Sequence, residues 1–410
     1  MSLRTDAQRI MDAALKAALP DTAVAKALEA ARFGPGRLVL VAAGKAAWQM
    51  AAAAVGQLGQ RIDAGVVITK YGHSKGPLPG LKIYEAGHPV PDENSFRATQ
   101  AAIEAVSGLT AEDTVLFLLS GGGSALFEKP LIPPEDLDRL THELLASGAD
   151  IVEMNTVRKR FSAVKGGRFA ALCAPARVFS VVLSDIIGDP LDMIASGPAY
   201  PDSSTEEQAR AVAEKYGLTL TEEMRALLAV ETPKSLDNVE THITGSVRQL
   251  CLAAQEECRA LGYAPSVLTA SLSCTAREAG AFLANIAQYH HGSGQKLAFL
   301  AGGETVVQIT GHGLGGRNQE LALAAAPGIA GLSGAAVFSL GSDGTDGPTD
   351  AAGGYVDGST AQVLREQGVD IFAVLKDNDS YHALEKAGGL IKTGPTGTNV
   401  NDIAVLLLEG

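Results

Sequence analysis

An uninterrupted apolar run, Val115-Leu116-Phe117-Leu118-Leu119, breaks off into Ser120-Gly121-Gly122-Gly123-Ser124, and this junction restricts the fold more than any other stretch of the chain. Five apolar residues without polar alternation describe a strand covered on both faces, as strands are inside a parallel sheet flanked by helices. The glycines that follow let backbone N–H groups approach an anion closely. The same junction recurs: Gly44-Lys45 after 38–43, Ser184, Asp185 and Asp189 after 178–183, Gly302 to Arg317 after 296–301, and Gly341 to Asp350 after 336–340. Open parallel sheets collect ligand loops at the carboxyl ends of their strands, so these loops are expected to serve one site.

Between the junctions, helix-period and strand-like segments alternate, which points to an α/β protein. Helices are expected over 4–18, 22–31 (capped by Asp21), 46–58, 95–107 and 136–146, with a helical stretch over 205–229. Strands are expected at 38–43, 66–69, 81–84, 115–119 and 178–183, then at 296–301, 305–309, 336–340 and 370–374. Residues 243–246 are read as opening the second half, running into a helix that ends near 260. The expected architecture is two Rossmann-like α/β lobes with mostly parallel or mixed sheets, an N-terminal domain over 1–235 and a C-terminal domain over 236–410.

Composition narrows the function. A net charge of −13, from 46 acidic against 33 basic residues, repels nucleic acid and anionic membranes and leaves a small-molecule enzyme as the expectation. Cys173, Cys251, Cys258 and Cys274 form no C-x-x-C pair and join no histidine cluster, so neither a zinc site nor a disulfide frame is indicated. Reduced thiols and the lack of a basic-then-apolar leader fit the cytoplasm, and no apolar run reaches the roughly 18 residues of a membrane span.

Each loop has a chemistry. Gly44-Lys45 follows a buried strand and opens a helix, where free N–H groups and a lysine favour an anion. Val39 and Ala46 occupy positions where a Walker A loop requires Gly and Ser or Thr, so this is not one. Arg158, Lys159, Arg160, Lys165 and Arg168 form a basic run that would ordinarily be a solvated helix face; Arg160 is taken from it as a candidate anion ligand. Arg317, at a glycine-preceded helix start near Gly302-Gly303-Glu304, suits a phosphate or carboxylate through its planar fork. The segment 311–316 spells G-x-G-x-x-G, but the next strand is followed by no carboxylate until Asp343, inside a glycine-rich loop, which makes a poor dinucleotide fingerprint. Asp343, Asp346 and Asp350 crowd that loop in a composition suited to magnesium, to a proton-accepting base, or to turns. The histidines at 73, 88, 290, 291, 312 and 382 are scattered and are read as surface or loop residues.

Taken together, Gly44-Lys45-Ala46, the Gly-His-Pro-Val-Pro-Asp run at 87–92, the 120–125 loop, Ser184-Asp185 with Gly188-Asp189, Ala195-Ser196-Gly197-Pro198, Gly302-Gly303-Glu304, Gly316-Arg317-Asn318-Gln319-Glu320 and the 342–348 loop resemble the glycerate 2-kinase family with a MOFRL C-terminal domain. The resemblance spans almost the whole chain. It implies a two-domain α/β enzyme with its active site in an interdomain cleft, using ATP and Mg2+ to phosphorylate the 2-hydroxyl of D-glycerate, as a monomer or homodimer. The family's essential lysine and arginine fall on Lys45 and Arg317. The implied phosphate- and substrate-binding set is Gly44, Ser120, Gly121, Gly122, Gly123, Ser124, Arg160, Ser184, Asp185, Glu304 and Asn318. Asp189, or the pair Asp343 and Asp346, would hold the metal or orient the hydroxyl. Two other readings stand beside it: an NAD(P)H-dependent hydroxypyruvate reductase, a label also applied to members of this family, and a non-catalytic sugar-phosphate sensor.

Overall fold

A computed structural model describes residues 2–410. By their contacts these form two compact units: residues 23–184 with 189–244, the first unit, and residues 2–22 with 185–188 and 245–410, the second. The expected division at 235/236 differs from this at the N-terminus, in the 185–188 segment and by about ten residues at the later crossing. The reason lies in Leu3–Ala18, an amphipathic helix whose Ala7, Ile10, Met11 and Ala14 are buried in one core with Leu250, Phe338 and Val405. Asp6 fastens it there, accepting from the Tyr263 hydroxyl at 2.9 Å.

In the first unit, strands β1 (Leu38–Ala43), β2 (Ala64–Lys70), β3 (Leu81–Ala86), β4 (Thr114–Leu119), β5 (Arg177–Leu183) and β6 (Val239–Gly245) make one sheet in the order β3-β2-β1-β4-β5-β6. The pairs β3–β2, β2–β1, β1–β4 and β4–β5 are parallel. Alternate residues supply two cores. Val39, Val41, Val115, Phe117 and Leu119 pack under helices Glu93–Ala105 and Arg168–Cys173, while Leu38, Leu40, Leu116 and Leu118 pack under Pro20–Ala30 and Ala47–Leu58. Covered on both faces, β1 and β4 can be apolar at every position, as their sequences are. Helices Pro134–Ala146, Ile151–Arg158, Glu206–Lys215 and Glu222–Leu228 bury a smaller core around Phe161.

The second unit holds β7 (Ala264–Leu272), β8 (Leu297–Gly303), β9 (Ala335–Gly341), β10 (Gly353–Asp357), β11 (Leu390–Ile391) and β12 (Asp402–Leu408), ordered β11-β10-β9-β12-β8-β7. This sheet is mixed: β12 runs antiparallel to both β8 and β9, and β7 parallel to β8.

Several sequence expectations change. Asp21 lies in the first turn of a helix that begins at Pro20, so it does not cap it. Residues 243 and 244 still belong to β6 at the edge of the first sheet, and the second unit resumes at Gly245 and runs into the helix Val247–Ala260, within two residues of the expected opening. Residues 305–309 form no strand, only a single bridge from Val306 to Thr275. The 370–374 strand is the helix Ile371–Lys376: Asp370 accepts from Phe372 N at 2.9 Å and Ala373 N at 3.4 Å, an N-cap that overrides the β-branched composition. No helix of the described residues is long and apolar enough to cross a membrane.

Candidate active site

The strand order of the first unit reverses direction between β1 and β4, and at such a switch point the loops beyond two adjacent strand ends part to leave a crevice. Those two loops carry Gly44-Lys45 and Ser120 to Ser124. They are tied to each other by Lys45 N donating to Gly121 O at 2.9 Å and Ala46 N to Ser120 Oγ at 3.1 Å. Gly44 has φ +125°, and any Cβ there would collide with Ser120, so the close approach requires glycine. Lys45 is exposed, and no carboxylate pairs with its ammonium among the described residues. A Cβ on Gly122, at φ +86°, would lie 3.1 Å from His88 Nε2 and 3.2 Å from Lys45 Cγ, so lysine and imidazole flank one glycine. Burial, with the charges of Lys45, Lys70 and neighbouring His73, holds the His88 pKa below its ordinary value. The cluster is cationic at the end of a parallel sheet, the arrangement an anion selects.

The far side of the same loop is polar. Ser124 Oγ lies 3.2 Å from Ser196 Oγ, which donates to Asn155 Oδ1 at 3.0 Å. Ala195 and Ser196 hold φ values of +50° and +62°; left-handed non-glycine residues in succession store strain of the kind found at ligand sites. Lys165, fully buried, pairs with buried Glu128 and donates to Ser124 O at 2.7 Å, clamping the loop from below. Burial pushes the Lys165 pKa down to about 8 against the pull of Glu128.

In the second unit, the end of β8, the start of β12 and the helix Arg317–Ala325 assemble a second cluster. Arg317 donates from Nε to Asp402 Oδ2 at 2.5 Å and from Nη2 to Asp402 Oδ1 at 3.0 Å, and pairs through Nη1 with Glu304 at 2.9 Å. Burial opposes its charge, but these carboxylates outweigh burial and raise its pKa. The other Glu304 oxygen accepts from Asn401 Nδ2 at 3.2 Å. Asp346 caps the Arg317 helix, with Oδ1 accepting from Asn318 N and Nδ2 and Oδ2 from Gln319 N and Nε2, at 2.9 to 3.3 Å. Burial exceeds the effect of these donors and pushes the Asp346 carboxyl up to about 6.

The expected residues therefore divide. Gly44, Lys45, Ser120, Gly121 and Gly122 come together in the first unit, with Gly123 and Ser124 continuing the loop; Glu304, Arg317, Asn318 and Asp346 come together in the second. Arg160 does not join either. It is fully buried, bonded to Glu231 at 2.5 Å, Ser204 O at 2.9 Å and Val230 O at 3.0 Å, a support of the helical layer shut off from solvent, its buried Nε left without an acceptor. Asn318 is buried as well, accepting from Ser339 Oγ at 2.5 Å, and so positions Asp346. The expected metal pair is not assembled: both Asp346 oxygens face N–H donors, and Asp343 Oδ1 accepts from Thr345 N at 2.9 Å in its own turn. Among the described residues no three His, Cys, Asp or Glu side chains gather in one place. Ser184 is buried at the end of β5, and Asp185 O accepts from Asn401 Nδ2 at 3.3 Å. Asp189 follows with φ +51° and one carboxylate oxygen buried without a donor.

Sequence reasoning passed over Asp402, Asn401 and His88 as functional residues. His88 stood inside a quoted motif; Asn401-Asp402 had a weaker signal, two polar residues ahead of the apolar run 403–408.

Comparison with known proteins gives two family matches: a domain of unknown function (DUF4147) over residues 6–229 and the MOFRL family over 297–402. The D-glycerate 2-kinase of Thermotoga maritima is 52% identical, with 99% of each chain covered. The crystal structure of the glycerate kinase from that organism superposes with a TM-score of 0.94, again at 52% identity and 99% of each chain. The glycerate 2-kinase of Pyrococcus horikoshii is 40% identical over 100% of this chain and 98% of its own. A putative hydroxypyruvate reductase of Agrobacterium vitis is also 40% identical, over 100% of this chain and 95% of its own.

Proposed function

Since this chain belongs to the glycerate 2-kinase family, we propose that its two clusters perform phosphoryl transfer from ATP to the 2-hydroxyl of D-glycerate, with Lys45 and Arg317 as the charges that stabilise the transferring group. The chain is a kinase acting on an alcohol group of glycerate. The observation that carries the residue assignment is the unpaired ammonium of Lys45 at the β1/β4 switch point, flanked by His88 and the backbone of a triple-glycine loop.

Phosphoryl transfer needs little covalent help from the protein; rate comes from aligning the attacking oxygen with phosphorus and from neutralising charge on the equatorial oxygens. Lys45 supplies a point charge that no carboxylate among the described residues pairs with. The backbone of Gly121, Gly122 and Gly123 lets phosphate oxygens come within hydrogen-bond reach, since no Cβ stands in the way. Arg317 starts with its fork occupied by Asp402, which fixes the plane of the guanidinium. Its bond to the half-exposed Glu304 is the exchangeable one, and releasing it would free Nη1 to pair with a phosphoryl oxygen. Asp189, with a carboxylate oxygen free of donors, serves as acceptor for the hydroxyl proton. The Asp343 and Asp346 pair does not fit a magnesium ion, and no step is assigned to a metal held there.

A coupled assay tests the reaction and its regiochemistry. Wild-type protein with ATP and D-glycerate is expected to release ADP and, with enolase present and phosphoglycerate mutase omitted, to yield phosphoenolpyruvate directly. A signal that requires the mutase would place the phosphate on the 3-oxygen. Oxidation of NADPH by hydroxypyruvate in place of ADP release would favour the reductase reading.

A further inference from the structure

Four of the five cations in the basic run are accounted for by bonds within the first unit. Lys159 pairs with Asp202 at 2.9 Å, Arg160 with Glu231 and two carbonyls, and Lys165 with Glu128. Arg168 donates to the carbonyls of Lys159, Arg160 and Ser162 at 3.1, 3.1 and 2.6 Å. Arg158 remains. Its Nε is shut off from solvent without an acceptor, and its guanidinium has no ion-pair partner among the described residues.

A partly buried guanidinium without an acceptor is costly unless a ligand completes it. Its place indicates which ligand. Arg158 ends the helix Ile151–Arg158 one turn after Asn155, on the same face. Asn155 accepts from Ser196, whose hydroxyl meets that of Ser124 on the glycine loop. The charge of Arg158 also reaches Lys165, the residue bonded to the Ser124 carbonyl. The loop from Gly121 to Ser124 thus has two ends of different character. Lys45 and Lys70 gather at one, about the neutral imidazole of His88, while the other offers one free guanidinium beside an amide and two hydroxyls, Lys165 being neutralised by Glu128. The highly charged triphosphate belongs with the two lysines. A singly charged carboxylate flanked by hydroxyls matches the other end, through the two parallel N–H···O bonds of an arginine fork.

We propose that Arg158 is the receptor for the carboxylate of the acceptor substrate, with Asn155, Ser196 and Ser124 holding its hydroxyls. The inference rests on the glycerate kinase reading. The test compares wild type, Arg158→Met and Arg158→Lys in steady-state kinetics with each substrate varied in turn. In Arg158→Met the KM for D-glycerate is expected to rise about 10- to 100-fold, the range for a lost charge-assisted pair, with the KM for ATP unchanged and the urea midpoint not lowered, because the guanidinium bonds nothing among the described residues of the free protein. Arg158→Lys should recover only part of the loss, since a point charge cannot copy the fork. An unchanged KM for glycerate, or a rise confined to ATP, overturns the assignment. Wild-type turnover reports the kinase reading independently, so the two cannot fail unnoticed together.

Discussion

Lys45 and Arg317 look alike in the sequence, each a cation at a glycine-preceded helix start, yet the structure makes their removal differ in kind. Lys45→Met takes away an exposed side chain whose ammonium has no ion-pair partner among the described residues. Its backbone bonds to Gly121 O and from Thr69 Oγ1, at 2.9 and 3.2 Å, do not depend on the side chain. Stability should therefore stay within about 0.5 kcal/mol of wild type, while loss of one preorganised charge lowers kcat about 10²- to 10³-fold. Arg317→Met should lower kcat comparably and also destabilise the fold, because Asp402, only 6% exposed, loses both bonds that compensate its charge. Stripping one partner from a buried pair costs about 3 to 5 kcal/mol; with roughly a third of the Arg317 side chain in solvent, the lower end, about 3 kcal/mol, is expected. Urea unfolding gives the stabilities and ADP release the rates. A folded Lys45→Met enzyme turning over within about threefold of wild type would refute the phosphoryl-clamp role of the lysine, and an Arg317→Met variant as stable as wild type would refute the account of Asp402.

Three further outcomes follow from the same geometry. Lys165→Met strands the buried Glu128 carboxylate and should cost about 3 to 5 kcal/mol in urea unfolding, most of it recovered in Lys165→Met/Glu128→Leu, where no charge is buried. Asp346→Asn turns an amide N–H2 toward the N–H groups that both carboxylate oxygens now accept, so a loss of about 1 to 3 kcal/mol is expected, with near-UV circular dichroism reporting the loosened 341–350 loop. For Glu231, burial is outweighed by Arg160 and Lys234, which hold its pKa down to about 2. Its contribution is present above the ordinary glutamate pKa and disappears as pH falls toward about 2, so the stability difference between wild type and Glu231→Gln should shrink on acidification through that window and be unchanged between pH values well above it.

The parallel core was legible because burial on both faces writes itself into composition. Strands β1, β4 and β5 are apolar at nearly every position and each stops at a glycine, serine or lysine, so their existence, their bounds and the loops beyond them could be read directly. Local rules of the same kind placed Lys45 and Arg317 at helix starts. The residues around Arg317 were out of reach for a different reason: its partners Glu304 and Asp402 lie 13 and 85 positions away, and sequence spacing carries no information about which strand lies beside which. The same holds for the basic run. Five cations in succession predict a solvated face, whereas the helical layer buries Lys159, Arg160 and Lys165 against carboxylates supplied by other segments and leaves Arg158 alone unpaired. Asp346 shows the limit most clearly, since an acid in a glycine-rich loop is equally a metal ligand and a helix cap by composition, and only packing against the Asn318 and Gln319 amides decides. Which strands and glycine loops form is a property of local burial and backbone freedom, written along the chain; which charges are spent on the fold and which remain for a ligand depends on long-range pairing, and that is settled only when the sheets and helices close.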